Sequence, residues 1–196
     1  MSQQHSSDRR LLTALQEMGL VMGVYVASFA VVEFLFKPAQ DMALELTLVG
    51  SLLYLPHGVR VLATWLFHAK SILPLTLAEI FCTLYLWSPD FELEYLILAS
   101  LIGGASCFIA YELFKLSGID LDFSTLSRPN WKALILVAAL GSVISSYGHA
   151  FAYAASFNPQ LVLVETLTFL VGDVLGTLAL IFLALAAHIG LRKVDL

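Results

Sequence analysis

The chain has 196 residues, of which 59% are hydrophobic, with a mean hydropathy of +0.86 and a formal net charge of -5. A soluble domain of this length cannot bury so much apolar surface, so the composition excludes a water-soluble globular protein and points to one embedded in a lipid bilayer. The acids are scattered and no charged tail stands out, which argues against a nucleic-acid partner.

Residues 1–10 are polar and read as an N-terminal tail. The apolar stretch that follows runs for about 25 residues, too long for a signal-peptide core, and is expected to stay as a helix. A helix needs about 20 residues to cross the hydrocarbon layer. By that measure the sequence predicts six transmembrane segments, at 11–36, 43–67, 71–87, 93–115, 131–155 and 160–190, followed by a short tail, 191–196. The connectors at 37–41, 88–92, 116–130 and 156–160 contain Pro38, Pro89, Pro129 and Pro159, which suits chain reversal. The expected fold is therefore an all-α polytopic helix bundle with a single transmembrane domain, 11–190.

Of the ten basic residues, Arg9, Arg10, Lys70, Lys115, Arg128, Lys132, Arg192 and Lys193 fall on one side of this arrangement and Lys37 on the other. The positive-inside rule then sets both termini in the cytoplasm of a multi-pass plasma-membrane protein, the inner membrane in a bacterium. Trp65, Trp87 and Trp131 lie near predicted segment ends, where amphipathic rings prefer to sit. Cys82 and Cys107 fall inside apolar segments and read as small core residues.

The second segment carries Pro56, His57, Gly58 and Arg60. An arginine at a helix centre costs roughly 2.5–3.5 kcal/mol and persists where it faces a protein interior, a partner charge or an anion. Pro56 and Gly58 predict a broken or kinked second helix, and a break would aim free amide N–H groups at the midplane beside Arg60. Counted at 1.5 Å per residue, Arg60 lies about 25 Å along its segment, Asp173 about 20 Å into segment six and Glu79 about 12 Å from the inner end of segment three, so the three can meet. The candidate ligand-binding set is Tyr54, His57, Arg60, Glu79, His149 and Asp173, for a small anionic molecule. The alternative is that Arg60 is tied to Asp173 or Glu79 as structural glue.

Other polar residues recur at helical spacing: Ser142, Ser146, His149 and Tyr153; Ser100, Gly104, Cys107 and Tyr111; Thr76, Glu79 and Thr83; Glu165, Asp173 and Thr177. Each stripe alone suits helix packing, as do Gly19, Gly23 and Ala27, and Gly172 with Gly176. Ser146 and His149 can touch, but without an aligned acid they do not make a catalytic set, and no enzyme activity is expected. His57 and His149 differ in depth by about 10 Å, which disfavours a metal site. No cofactor is specified.

Leu55-Pro56-His57-Gly58-Val59-Arg60-Val61-Leu62-Ala63, continuing to Ile72-Leu73-Pro74-Leu75-Thr76-Leu77-Ala78-Glu79, resembles the membrane-associated sensor domain family called MASE. Phe169-Leu170-Val171-Gly172-Asp173-Val174-Leu175-Gly176 is similar to that family's late glycine-aspartate-x-x-glycine helix. The resemblance covers about a fifth of the chain and implies a sensory input module, with Pro56, Gly58, Gly172 and Asp173 at the positions of the pattern. The sequence departs from the family in having His57 where serine or threonine is expected, six helices in place of about eight, and no output domain, so a sensor of this kind works through a partner protein. Six helices with both ends cytoplasmic also look like the substrate-binding subunits of energy-coupling-factor vitamin importers, with Gly19, Gly23 and Ala27 a loose substitute for their alanine-x-x-x-alanine surface. A structural or assembly subunit is the third reading.

Overall fold

The computed structural model describes residues 2–45, 48, 50–87, 92–121, 131–152 and 162–194. Among these there is no strand. The order is α1 (Ser2–Val31), a π-helical turn (Val32–Phe36), α2 (Lys37–Leu44), α3 (Leu55–Phe67), a 3₁₀ turn (His68–Ser71), α4 (Ile72–Cys82) with a π-helical extension (Thr83–Trp87), α5 (Leu93–Leu116), α6 (Trp131–Ala152) and α7 (Val162–Val194). Five helical runs are long and apolar enough to cross a membrane: Leu11–Leu44, Leu55–Leu86, Leu93–Leu116, Lys132–Ala152 and Leu163–Ala186. Leu20, Phe34, Leu101, Phe151 and Phe182 are among the large side chains that give these runs an apolar exterior. Such an exterior suits lipid, not water.

The five runs stand where hydropathy predicts six segments, because 43–67 and 71–87 are joined by continuous helical turns. That run is not straight. Arg60 is bonded to Glu79 at 2.5 Å, whereas two residues 19 apart on a straight helix are separated by about 28 Å. The chain folds back at His68, whose φ of 50° and ψ of -134° lie outside the helical region. Thr64 and Ser71 close the turn through their hydroxyls at 3.1 Å. The run therefore comprises two arms, α3 and α4.

Two sequence boundaries need correction. The predicted turn at 37–41 is helical: Pro38 sits in the first turn of α2, where a missing N–H leaves no helix bond unmade, so the first helix continues to Leu44. Glu45, with φ 51° and ψ 26°, ends it in the left-handed conformation. The predicted helix 43–67 begins only at Leu55, with Pro56 again in a first turn, so Pro56 and Gly58 open a helix and do not kink a long one. At the other end, α1 starts at Ser2, inside the expected tail. Tyr153, of the segment-five stripe, lies outside the described residues.

Residues 48 and 50–54 are non-helical, yet apolar surroundings require every backbone group to find a partner. The flanking helices supply them. Lys37 Nζ donates to the Leu48 carbonyl at 2.6 Å, Gln40 donates to Gly50 O at 3.1 Å and accepts from Leu52 N at 2.6 Å, and Gly50 N donates to Glu165 at 3.0 Å. Tyr54 N donates to Gly172 O at 2.9 Å. The contacts advance in step along α7: Gly50 meets Thr168, Ser51 meets Gly172, Tyr54 meets Gly176, and Gly58 meets Thr177 and Leu180. The stretch thus prolongs α3 parallel to α7.

Gly172 and Gly176 make this approach possible, since a β-carbon on either would collide with a backbone carbonyl oxygen, that of Ser51 or Tyr54. Neither carbonyl can rotate away as a side chain would. Gly172→Ala and Gly176→Ala are each expected to destabilise by about 1–3 kcal/mol through overpacking. Gly19→Ala, where nothing lies within 4 Å, should leave stability unchanged. Thermal unfolding of the detergent-solubilised variants checks this; equal melting curves for all three would overturn the packing account.

Candidate functional site

Every residue of α3 from Leu55 to Val61 is buried, so this helix runs through the protein interior with almost no lipid face. His57 and Arg60, three residues apart, share one side of it. Arg60 is 1% exposed, and its guanidinium is held from three helices. Nη2 donates to Glu79 Oε1 of α4 at 2.5 Å and to the Tyr25 hydroxyl of α1 at 2.9 Å, while Nη1 donates to Ser145 Oγ of α6 at 3.3 Å. The Tyr25 and Tyr54 ring centroids each lie 5.7 Å from its Cζ, within reach of a cation–π attraction. The two hydroxyls approach each other at 3.4 Å. Nε has no hydrogen-bond partner, and neither has Glu79 Oε2. On α5, Gly103 backs the ion pair; a β-carbon there would collide with the Glu79 carboxylate.

A second pair lies beside the first. His57 Nδ1 is 3.2 Å from Asp173 Oδ2, and its Nε2 is 3.1 Å from the Ala138 carbonyl. A carbonyl oxygen only accepts, so Nε2 carries the hydrogen. A bare Nδ1 facing a carboxylate is repulsive; the contact is attractive only with a proton on one partner or the other. His149 is fixed in the same way. Its Nδ1 is 2.7 Å from the Ser145 carbonyl and so donates, leaving Nε2 3.6 Å from Glu79 Oε1. Its ring stacks on Phe169 at 5.7 Å between centroids. With Nδ1 committed to a carbonyl, His149 is no base for the Ser145 hydroxyl, which lies 3.2 Å away.

Lys37, Tyr54, Arg60, Glu79, His149 and Asp173 all line one cleft, which encloses about 630 Å³ of empty space with its mouth included. Glu33, like Lys37 toward the far end of the first helix, lines it as well. Toward the other end, α3 is packed by two apolar clusters, one around Val61, Trp65, Cys107 and Val137 and one around Val21, Ala63, Leu75 and Ala78. The cleft is thus lined by a buried guanidinium, hydroxyls and an imidazole. Among the described residues no three His, Cys, Asp or Glu side chains are grouped to hold a metal ion.

The six residues singled out from the sequence, Tyr54, His57, Arg60, Glu79, His149 and Asp173, thus share one cleft or the contacts directly behind it. Arg60 takes Glu79 as its partner, and Asp173 goes to His57. The sequence pattern missed Tyr25, Ser145, Gly103 and Lys37. Tyr25 belongs to a stripe with Val21, Phe29 and Val32, four, four and three residues apart, which marks the buried face of α1. Gly19 and Gly23 lie on its exposed side, where an added β-carbon would meet nothing within 4 Å among the described residues. Ser100 and Thr177 bond to carbonyls one helical turn back, of Leu96 and Asp173, and do not enter the cleft.

Removing one member of a buried pair leaves an uncompensated charge, a loss of about 3–5 kcal/mol, whereas replacing both by apolar residues of similar volume is often neutral. Glu79→Leu is accordingly expected to lower the melting temperature strongly, and Arg60→Met with Glu79→Leu to recover most of the loss. A double-mutant cycle on thermal unfolding measures this; additive losses would show that the two groups are not coupled.

No protein-family model matches the chain, and no curated protein or solved structure does so either.

Proposed function

We propose that this chain is a membrane-embedded receptor module that binds a small anion above Arg60 and acts through a separate partner protein. The observation that carries the reading is the cleft. A purely structural ion pair is best sealed inside apolar packing, whereas Arg60 and Glu79 form part of the wall of a cleft that Lys37 also lines. Arg60 and Lys37 line it together with Glu33, Glu79 and Asp173, and Lys37 pairs with Asp41 at 3.5 Å, so an entering anion has to take a carboxylate's place at a cation. The resident carboxylate, Glu79, stands where the ligand's negative charge would go. Ligand binding is therefore an exchange of one anionic partner of Arg60 for another.

The reading agrees with the sensor-like motifs at Leu55–Ala63 and Phe169–Gly176, and with a six-pass arrangement in which 48–54 and α3 form one crossing and α4 the next. Both termini then lie in the cytoplasm of a bacterial inner-membrane protein. One observation favours transport as the second reading: α3 is preceded by non-helical backbone at membrane depth, as in the discontinuous helices of transporters. An importer subunit needs an energising partner, so recovery of an ATPase with the affinity-purified protein would favour it.

The exchange gives opposite signs for the two halves of the pair. Glu79→Gln keeps the side chain's shape while freeing Arg60, and should tighten binding of a carboxylate probe such as acetate by roughly tenfold or more, the worth of one charge-assisted hydrogen bond. Arg60→Gln should abolish it. Native mass spectrometry of the gently solubilised protein and calorimetric titration with acetate read both. Glu79→Gln without effect on binding, in protein that is still folded, sinks the exchange model.

A further inference from the structure

A second polar feature lies at the end of the bundle where α3 turns back into α4, remote from Lys37. Two adjoining cavities there, of about 660 and 750 Å³ with their mouths included, share Glu17 of α1 and Phe67, Ala69 and Lys70 of the turn. Their inner wall is apolar, formed by Met18, Val21, Leu73 and Pro74. The turn is pinned by the Thr64 and Ser71 hydroxyls and by the bond from Ser71 Oγ to the His68 carbonyl at 2.7 Å, so Lys70 is held beside the groove. Glu17 and Lys70 line the same space, yet they are not paired with each other, and neither has a partner among the described residues.

We infer that this groove binds a phospholipid with a phosphoethanolamine headgroup, its phosphate on Lys70, its ammonium on Glu17 and an acyl chain along Val21, Leu73 and Pro74. The charge pattern selects the headgroup. An anion alone would satisfy Lys70 but face the Glu17 carboxylate. A choline headgroup has both charges but no N–H to donate to Glu17. Phosphoethanolamine carries a phosphate and a hydrogen-bonding ammonium a few ångströms apart, which fits two opposite charges that line one cavity without touching. The position suits it as well: Lys70 follows the apolar α3 directly and precedes the apolar α4, the depth at which basic residues meet lipid headgroups.

The test is native mass spectrometry of the full chain with phosphatidylethanolamine, phosphatidylcholine and phosphatidylglycerol of identical acyl chains. Phosphatidylethanolamine should be retained about fivefold over each of the others, the effect expected of a single surface charge contact. Glu17→Gln should erase that preference, and Lys70→Gln should lower retention of all three lipids, which share the phosphate; both substitutions keep the side-chain stem and should leave thermal unfolding unchanged. Equal retention of the three lipids overturns the proposal. So does a preference for phosphatidylglycerol in the parent chain, which would make the groove a simple anion site, and so does a preference that survives Glu17→Gln or a retention that Lys70→Gln leaves unchanged.

Discussion

The arrangement of this protein follows from one constraint: a guanidinium at membrane depth must have its charge and its hydrogens met by protein. No single helix can do that, because neighbours along one helix reach only one side of an arginine. Here Tyr25 from α1, Glu79 from α4 and Ser145 from α6 meet Arg60 from different directions, while α5 contributes only space, at Gly103. α3 must then be central, and its burial on nearly all sides is the packing consequence. The adjacent His57 and Asp173 extend the same logic to α7. Neither pair is itself a strong source of stability, since desolvation offsets most of the Coulomb attraction. Their effect is on specificity: the helices must be placed so that Arg60 meets Glu79 and His57 meets Asp173.

The same constraint shapes the lead into α3. A continuous helix upstream of Pro56 would put side chains where the backbone of 50–55 lies directly against Gly172 and Gly176. The extended stretch brings Tyr54 to the start of α3 with its ring by Arg60, and it leaves one side of the ion pair open toward the cleft. The cost is a run of backbone groups without helical partners. Lys37, Gln40 and Glu165 meet that cost, which gives these polar residues in apolar helices a structural explanation.

Much of the site was legible because charges in apolar segments stand out by their cost; His57, Arg60, Glu79 and Asp173 are conspicuous for that reason alone. Tyr25 was not, because a tyrosine in a membrane helix is apolar by composition and only its partner reveals the hydroxyl's role. Ser145 lost to Ser146 because a one-residue difference turns a side chain by about 100° and periodicity cannot choose between adjacent serines. The helix boundaries failed for another reason. Hydropathy reports depth in the bilayer and not backbone conformation, so residues 50–54 read as helix although they are non-helical. Pro38 read as a turn although it sits where a helix tolerates proline.

The ion pair and the open cleft are compatible because of what lies behind Glu79. Gly103 leaves its carboxylate no room to withdraw toward α5, so any displacement from Arg60 is toward the cleft and α6. There His149 waits, with Nδ1 fixed on a carbonyl and Nε2 3.6 Å from the same carboxylate oxygen. In the proposed exchange, an anion that claims Arg60 leaves Glu79 beside the His149 ring, which already lies 3.6 Å from it. A carboxylate oxygen that touches both a guanidinium and an imidazole, each from a different helix, is the feature on which the proposed exchange rests.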